Sequence, residues 1–253
     1  MTGPAIRNVP NWSHLLLAGL LVAIVGGAYW FKTRPTLAIG GAPQEDSTEA
    51  LLARGVSMHH AQQYETALEI YHAVLLRDPA HPRAHYNLGQ IYTIRGQFAE
   101  AQREYEAALE ADPNFLDARL NLGVALYRQG QFAAAAQAFR QVLLASPKHP
   151  LALFNLGITL LELGEAEQAI RWLTAALRED PKRADTHYYL GLALERQQRL
   201  PEARASLGRA LDLNPRHADA YIALAKVYML QGERELALEA LAKAAELNPR
   251  QKQ

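Results

Sequence analysis

Most of the chain repeats one pattern of small and large apolar residues with a fixed period. Within each 34-residue period, position 20 is always alanine, position 8 is glycine in five of six units, and positions 11 and 24 are large and mostly apolar. These positions form i, i+3, i+4, i+7 stripes on two helices per unit, so the pattern predicts an all-α fold of about twelve antiparallel helices. A proline after Asp, Asn or Ser marks the end of each unit, at Pro79, Pro113, Pro147, Pro181, Pro215 and Pro249.

The unit boundaries follow from this register. Small residues at two fixed positions indicate that two helices approach closely there, because a larger substituent would hold their backbones apart. Glycine at position 15 supplies the turn between the helices in four units, and the X-Pro pair ends the second helix. Departures from the pattern include Arg54 at position 7, Gln198 at position 15 and Ala225 at position 8 of their units. Counted from Thr48, the units cover residues 48–81, 82–115, 116–149, 150–183, 184–217 and 218–251.

This unit resembles the tetratricopeptide repeat, a 34-residue helix-turn-helix. The segments HYNLGQIY at 85–92 and LFNLGITL at 153–160 are similar to the first-helix signature of that family. The resemblance covers residues 48–249 and implies a right-handed superhelical solenoid whose first helices line a concave groove. It also implies that a protein or peptide binds in the groove, and it leaves the identity of that ligand open.

A different pattern occupies the amino-terminal end of the chain. Residues 15–31 are apolar and uncharged, and the run reaches 20 residues when it is extended to residue 12. About 20 residues of helix span a hydrocarbon layer of ~30 Å, and aromatic residues flank this run as they do at membrane interfaces. We therefore predict a short tail at 1–11, a single transmembrane helix at 12–31 and a flexible linker at 32–47.

Two alternatives remain for this amino-terminal segment. It could be a cleaved signal peptide that ends near Ala28, although the apolar run is longer than the usual signal core of about 7 to 15 residues. It could also be a buried helix of a globular domain, although it has no polar face. Charges are few on both sides, with Arg7 before the run and Lys32 and Arg34 after it, so the orientation stays open. The resemblance favours a bacterial-type inner membrane with the repeats on the periplasmic side.

The resemblance assigns positions 2, 5, 9, 12 and 13 of each first helix to the concave face. Positions 5 and 9 then form an apolar strip with three aromatic residues, which suits an apolar or amphipathic polypeptide. For Leu120, Val124 and Ile158, packing against neighbouring first helices is an equally good interpretation. The groove residues predicted from positions 5, 9 and 12 are Tyr86, Gln90, Leu120, Val124, Tyr127, Phe154, Ile158, Tyr188, Leu192 and Ile222.

Asparagine occupies position 6 in three consecutive units, at Asn87, Asn121 and Asn155. A primary amide donates and accepts hydrogen bonds, so a row of amides can bind the backbone of an extended peptide whatever its sequence. The row resembles the asparagine ladder in the helical-repeat part of the protein O-linked sugar transferases. The alternative is a local structural hydrogen bond within each unit.

Composition argues against other classes of function. The 253-residue chain has 26 basic and 26 acidic residues and no cysteine, so no positive excess attracts nucleic acid and no thiol is available for catalysis or zinc. Phosphate-loop, GxSxG and HExxH motifs are absent, and His81 with His85 lacks a further ligand at metal-site spacing. Glu162 and Glu195 are expected to be solvated or paired with arginine. We expect no catalytic residue, no cofactor, no metal site and no enzymatic activity.

The sequence therefore predicts a membrane-tethered scaffold or assembly factor that binds a protein or peptide in its groove. The alternative is an array that self-associates through its last unit. Four residues follow Pro249, too few for an additional capping helix. The last unit is then expected to have an apolar face that is partly unprotected. The alternative is that its final helix frays. The apolar face consists of Leu224, Tyr228, Leu238, Leu241 and Leu247.

Overall fold

The computed structural model describes residues 47–247, which form six helical hairpins without a strand. The first helices of the hairpins are α1 (Thr48–His60), α3 (Pro82–Ile94), α5 (Leu116–Arg128), α7 (Pro150–Glu162), α9 (Ala184–Arg196) and α11 (Ala218–Gln231). The second helices are α2 (Tyr64–Arg77), α4 (Phe98–Ala111), α6 (Phe132–Ala145), α8 (Ala166–Glu179), α10 (Leu200–Leu213) and α12 (Arg234–Leu247). The predicted all-α repeat fold is confirmed for this part of the chain.

The helices stack in chain order. Each helix packs against its neighbours in sequence, and the first helices of adjacent hairpins also contact one another, from α1 with α3 to α9 with α11. This arrangement places the first helices side by side along one surface. The predicted tail, the predicted transmembrane helix and residues 32–46 of the predicted linker lie outside the described residues. Among the described helices, none combines the length and the apolar character that a membrane crossing requires.

Glycine at position 8 allows the two helices of a hairpin to approach closely. A Cβ atom placed on Gly89 would lie 2.6 Å from Cε1 of Tyr105, which is far inside van der Waals contact. The large position-24 residue fills this space in the first five units and is at most 1% exposed there. In the last unit Ala225 replaces the glycine and the position-24 residue, Leu241, is 44% exposed. The last hairpin therefore leaves its position-24 side chain partly exposed, unlike the other five.

A histidine directly precedes three of the first helices and caps the amino-terminal end of each. Nδ1 of His81 accepts a hydrogen bond from the backbone N–H of Ala84 at 3.4 Å. His149 and His217 make the equivalent bonds at 3.3 Å, so each ring accepts from a backbone N–H in the first turn of its helix. The three histidines are therefore structural caps at one repeat position.

The turn of the fifth hairpin keeps its geometry without glycine. Gly232 has φ +81°, in the left-handed region that glycine adopts without strain. Gln198, at the same repeat position, has φ +57° and ends α9 in the same way. A side chain in this region costs about 1 kcal/mol, which the packing of α9 on α10 offsets. At this turn, the packing of the repeat therefore outweighs the conformational preference of glutamine.

Candidate peptide-binding groove

The middle of the predicted groove is closed by its own side chains. Leu120, Phe154 and Ile158 are 7%, 7% and 9% exposed, which leaves little surface for a ligand. The Arg183 guanidinium lies 4.1 Å from the centre of the Phe154 ring, and Tyr189 meets that ring edge-on at 5.7 Å. Packing between first helices is thus the observed role of Leu120 and Ile158, and Phe154 joins them.

An open cavity lies toward the amino-terminal end of the groove, where α1, α3 and α5 meet. Its volume is about 200 Å³. Gln90, Asn121 and Val124 were predicted for the groove, whereas Tyr105 belongs to the second helix α4 and has no position in a first-helix pattern. This amino-terminal cavity is lined by His59, Gln90, Thr93, Ile94, Tyr105, Asn121 and Val124.

Neutral hydrogen-bonding groups surround the amino-terminal cavity. The Tyr86 hydroxyl accepts hydrogen bonds from Nε2 of Gln90 at 3.0 Å and Nδ2 of Asn121 at 3.3 Å. Oγ1 of Thr93 donates to the carbonyl of residue 89 and lies 3.0 Å from the Tyr105 hydroxyl, which therefore donates to it. Burial raises the pKa of Tyr105 to about 12, so its hydroxyl remains a neutral donor at physiological pH.

The position-6 amides differ in how they are bonded. Asn121 uses Nδ2 to bind the Tyr86 hydroxyl. Asn87 is 8% exposed, and its amide makes no hydrogen bond within residues 47–247. Asn155 is half-buried, and its side chain likewise has no hydrogen-bond partner in the described part of the chain. A local structural bond therefore accounts for Asn121 alone, and the other two amides retain donors and acceptors for a ligand.

A second cavity lies toward the carboxyl-terminal end, between α9 and α11. Its volume is about 230 Å³. Tyr188, Leu192 and Ile222 were predicted from the repeat positions, and Leu207 of the second helix α10 contributes to the wall. The carboxyl-terminal cavity is lined by Tyr188, Leu192, Glu195, Leu207, Asp219, Ile222, Ala223 and Lys226.

Charged side chains distinguish this carboxyl-terminal cavity. The Glu195 carboxylate is nearly buried and lies 2.9 Å from Nζ of Lys226, so its partner is this lysine and the expected arginine pairing is wrong. Asp219 is exposed and has no ion pair among the described residues. Burial, with the negative charge of Asp219 as a smaller cause, raises the pKa of Tyr188 to about 12.

The remaining predicted groove residue, Tyr127, stands between the two cavities. It is half-buried, and its ring meets that of Phe132 edge-on with the centroids 5.3 Å apart. Burial is the main cause that raises the pKa of Tyr127.

In the described part of the chain, no three His, Asp or Glu side chains are grouped to hold a metal ion.

The stacked hairpins define a tetratricopeptide repeat solenoid, a class of protein–protein interaction scaffold. A family model described as "Cilia and flagella-associated protein 70 C-terminal domain" matches residues 44–253, and the chain belongs to this family of repeat domains. A comparison with curated protein sequences finds no match.

Solved structures of other repeat proteins are similar to this chain. The protein titled "MamA 41-end from Desulfovibrio magneticus RS-1" superposes with a TM-score of 0.63 at 26% identity, covering 68% of this chain and 97% of its own. PilF from Pseudomonas aeruginosa gives a TM-score of 0.68 at 20% identity, covering 80% and 92%. YrrB, described as "a TPR protein with an unusual peptide-binding site", gives 0.60 at 22% identity, covering 71% and 92%. The last two likenesses establish the fold alone.

Proposed function

We propose that this protein is a membrane-tethered scaffold or assembly factor whose groove binds an extended segment of another polypeptide. The observation that carries the proposal is the pair of groove amides, Asn87 and Asn155, without hydrogen-bond partners among residues 47–247. Neither amide is a fully buried unpaired group, so each can be reached by a ligand, and its donor and acceptor are not used by a described residue. The protein acts by binding, without catalysis.

An extended peptide backbone fits these amides. Each peptide unit offers one N–H and one C=O, and a side-chain amide can bond to both. The two cavities then accept side chains of the ligand, while the closed centre around Leu120, Phe154 and Ile158 provides an apolar surface for it to cross. YrrB, described as having a peptide-binding site, supports this assignment by analogy of fold.

Removing the unpaired amides tests groove binding. Phage-displayed random dodecapeptides are selected on the full-length chain in detergent micelles, and affinities are measured by fluorescence polarisation. Asn87→Ala with Asn155→Ala should weaken the selected peptides roughly tenfold or more, because two hydrogen bonds of about 1 kcal/mol each are lost. Neither amide bonds to a described residue, so the double variant should keep its helicity.

The matched control removes an amide from another surface. Gln137 is exposed on the second helix α6, and Gln137→Ala should leave peptide affinity unchanged. Groove binding is wrong if every selected peptide retains its affinity for the folded double variant.

The tether is supported by the apolar run at residues 12–31, which has the length of a membrane span. We place it in a bacterial-type inner membrane with the repeats in the periplasm. A tether raises the effective concentration of the groove near membrane-bound partners. Full-length protein should stay with membranes after carbonate washing, and a carboxyl-terminal alkaline phosphatase fusion should be active. Release by carbonate would contradict the anchor, and an inactive fusion with an active cytoplasmic reporter would reverse the orientation.

Self-association through the last hairpin is a second candidate. On α12, Leu238 is 60% exposed and Leu241 is 44% exposed, while Leu224 of the predicted face is buried. A second copy could cover the two exposed leucines. Light scattering of the full-length chain in micelles should then show a larger mass for wild type than for Leu238→Glu with Leu241→Glu. Equal masses at all concentrations would reject self-association.

A further inference from the structure

We propose that the carboxyl-terminal cavity binds a basic side chain, arginine or lysine, of the polypeptide held in the groove. This inference rests on the proposed function and adds the chemistry of one ligand residue. It depends on three features of the cavity: an apolar wall, an exposed carboxylate at the mouth that no described side chain pairs, and neighbouring cations that are already engaged.

The wall suits the aliphatic part of a long side chain. Leu192, Leu207, Ile222 and the ring of Tyr188 line a space of about 230 Å³. Ile222 is 45% exposed, so a ligand side chain that packs against it removes apolar surface from water. Lysine and arginine bury their methylene stems on such surfaces while the charged end remains at a polar edge. The Tyr188 ring is held in place by His217 and Tyr189, whose ring centroids lie 4.6 and 5.0 Å from its own.

The charges of the cavity leave one carboxylate without a partner. Glu195 and Lys226 form an ion pair at 2.9 Å and neutralise each other. Asp219 lines the same cavity and makes no ion pair or hydrogen bond with a described residue. A cation that enters the cavity therefore meets Asp219 at the mouth and can share the Glu195 carboxylate.

Neighbouring cations are held elsewhere. The Arg183 guanidinium covers the Phe154 ring, and Arg196 donates a hydrogen bond to the backbone carbonyl of Leu161. An acidic ligand side chain would face Asp219 directly and would have to take Lys226 from Glu195, leaving a nearly buried carboxylate unpaired. A neutral side chain would leave Asp219 as it is. Charge complementarity thus favours a basic side chain over both.

The test uses the groove-binding peptides selected from the dodecapeptide library, those whose affinity falls for Asn87→Ala with Asn155→Ala. We expect arginine or lysine at one common position in these peptides. Replacing that residue with alanine should weaken binding to wild type roughly fivefold, as for a partly solvated ion pair. The same peptide should bind Asp219→Asn roughly fivefold more weakly than it binds wild type.

Charge exchange identifies the contact. Asp219→Lys should prefer the peptide with glutamate at the common position over the basic one, reversing the wild-type order. Asp212 is the charge control, since it is an exposed aspartate on the second helix α10 and lines neither cavity, and Asp212→Asn should change affinity less than twofold. All three variants alter exposed side chains, and circular dichroism should show unchanged helix content.

Each outcome decides the inference. A selection that yields no groove-binding peptide overturns both the proposed function and this inference. Groove-binding peptides without a basic preference, or a basic preference that survives Asp219→Lys, overturn this inference alone. An equal loss with Asp212→Asn assigns the effect to overall charge and likewise overturns it.

Discussion

The two cavities of the groove share one geometry and differ in chemistry. Five lining residues of each occupy the same five repeat positions, three units apart. They pair as Gln90 with Leu192, Thr93 with Glu195, Tyr105 with Leu207, Asn121 with Ala223 and Val124 with Lys226. The amino-terminal cavity is therefore neutral and rich in hydrogen-bonding groups, whereas the carboxyl-terminal cavity has apolar walls and charged edges.

This difference separates two functions of the repeat. The backbone register places a cavity wherever the residues between adjacent first helices leave space. The side chains at those positions then set what the cavity accepts, without altering the helices that hold it. In the middle units, Leu120, Phe154 and Ile158 are instead buried among neighbouring side chains. A regular solenoid can thus present different chemistry at its two ends.

The largest expected effect is on stability and compares the second-helix residue that lines each cavity, Tyr105 at the amino-terminal end and Leu207 at the carboxyl-terminal end. In Gly89→Ala the new Cβ would lie 2.6 Å from a rigid ring atom of Tyr105, and in Gly191→Ala 2.6 Å from Cγ of Leu207. A change of rotamer moves a small side chain at Leu207, whereas at Tyr105 it moves a whole ring and breaks the contact of its hydroxyl with Oγ1 of Thr93. After the gain in helix propensity, we expect Gly89→Ala to lower the free energy of unfolding by about 2 kcal/mol and Gly191→Ala by less than about 1 kcal/mol.

Gly208 provides the control for this comparison, because nothing lies within 4 Å of a Cβ placed there. Gly208→Ala should raise the free energy of unfolding by up to about 1 kcal/mol through helix propensity. Urea unfolding followed by circular dichroism gives all three values. A smaller loss for Gly89→Ala than for Gly191→Ala would contradict the argument from ring rigidity.

The next effect depends on pH and compares two histidines at one repeat position. Nε2 of His85 and Nε2 of His187 each bind a proline carbonyl, at 3.0 and 3.1 Å. His85 also places Nδ1 2.7 Å from the Glu104 carboxylate, whereas Ser206 occupies the equivalent position beside His187. The hydrogen bond to Glu104 is the largest cause that raises the pKa of His85.

A raised histidine pKa stabilises the fold below the unfolded pKa, and this contribution disappears as the pH rises through the folded pKa. His85→Gln should therefore lower the free energy of unfolding by about 1 kcal/mol more at about pH 5.5 than at about pH 8.5. Measured against Glu104→Gln instead of wild type, His85→Gln should lose this extra pH dependence, because no carboxylate remains beside the ring. Urea unfolding at the two pH values measures both comparisons. Equal pH dependence in the two comparisons would refute the role of Glu104.

Much of this architecture could be predicted because the repeat is strict. The first helices begin at Thr48, Pro82, Leu116, Pro150, Ala184 and Ala218, the residues from which the units were counted. Six in-phase copies reinforce one register, so a local departure such as Gln198 at a turn does not break it. The family assignment follows from the same regularity.

The groove was harder to predict, because a repeat position does not determine exposure. Phe154 and Tyr188 share position 5, yet Phe154 is buried under Arg183 and Tyr189, whereas Tyr188 lines a cavity. Such differences depend on neighbours from adjacent units. Glu195 and Lys226 are 31 residues apart in the chain and lie on different helices. The partner of Glu195 could therefore be identified only from the packed structure.

The smallest expected effect concerns the tyrosine that supplies a hydroxyl to the amino-terminal cavity. The Tyr105 hydroxyl lies 3.0 Å from Oγ1 of Thr93, whereas the buried hydroxyl of Tyr71, its equivalent one unit earlier, has no partner among residues 47–247. Tyr105→Phe should cost about 1 kcal/mol, because a hydrogen bond is lost. Tyr71→Phe should cost nothing or stabilise slightly, because an unpaired buried hydroxyl is removed. Phe139 shows that the third unit accommodates phenylalanine at this position, so packing is kept in both variants. Urea unfolding of the two variants measures the difference in the free energy of unfolding. A larger loss of stability for Tyr71→Phe than for Tyr105→Phe would mean that the Tyr71 hydroxyl has a hydrogen-bond partner, as the Tyr105 hydroxyl does.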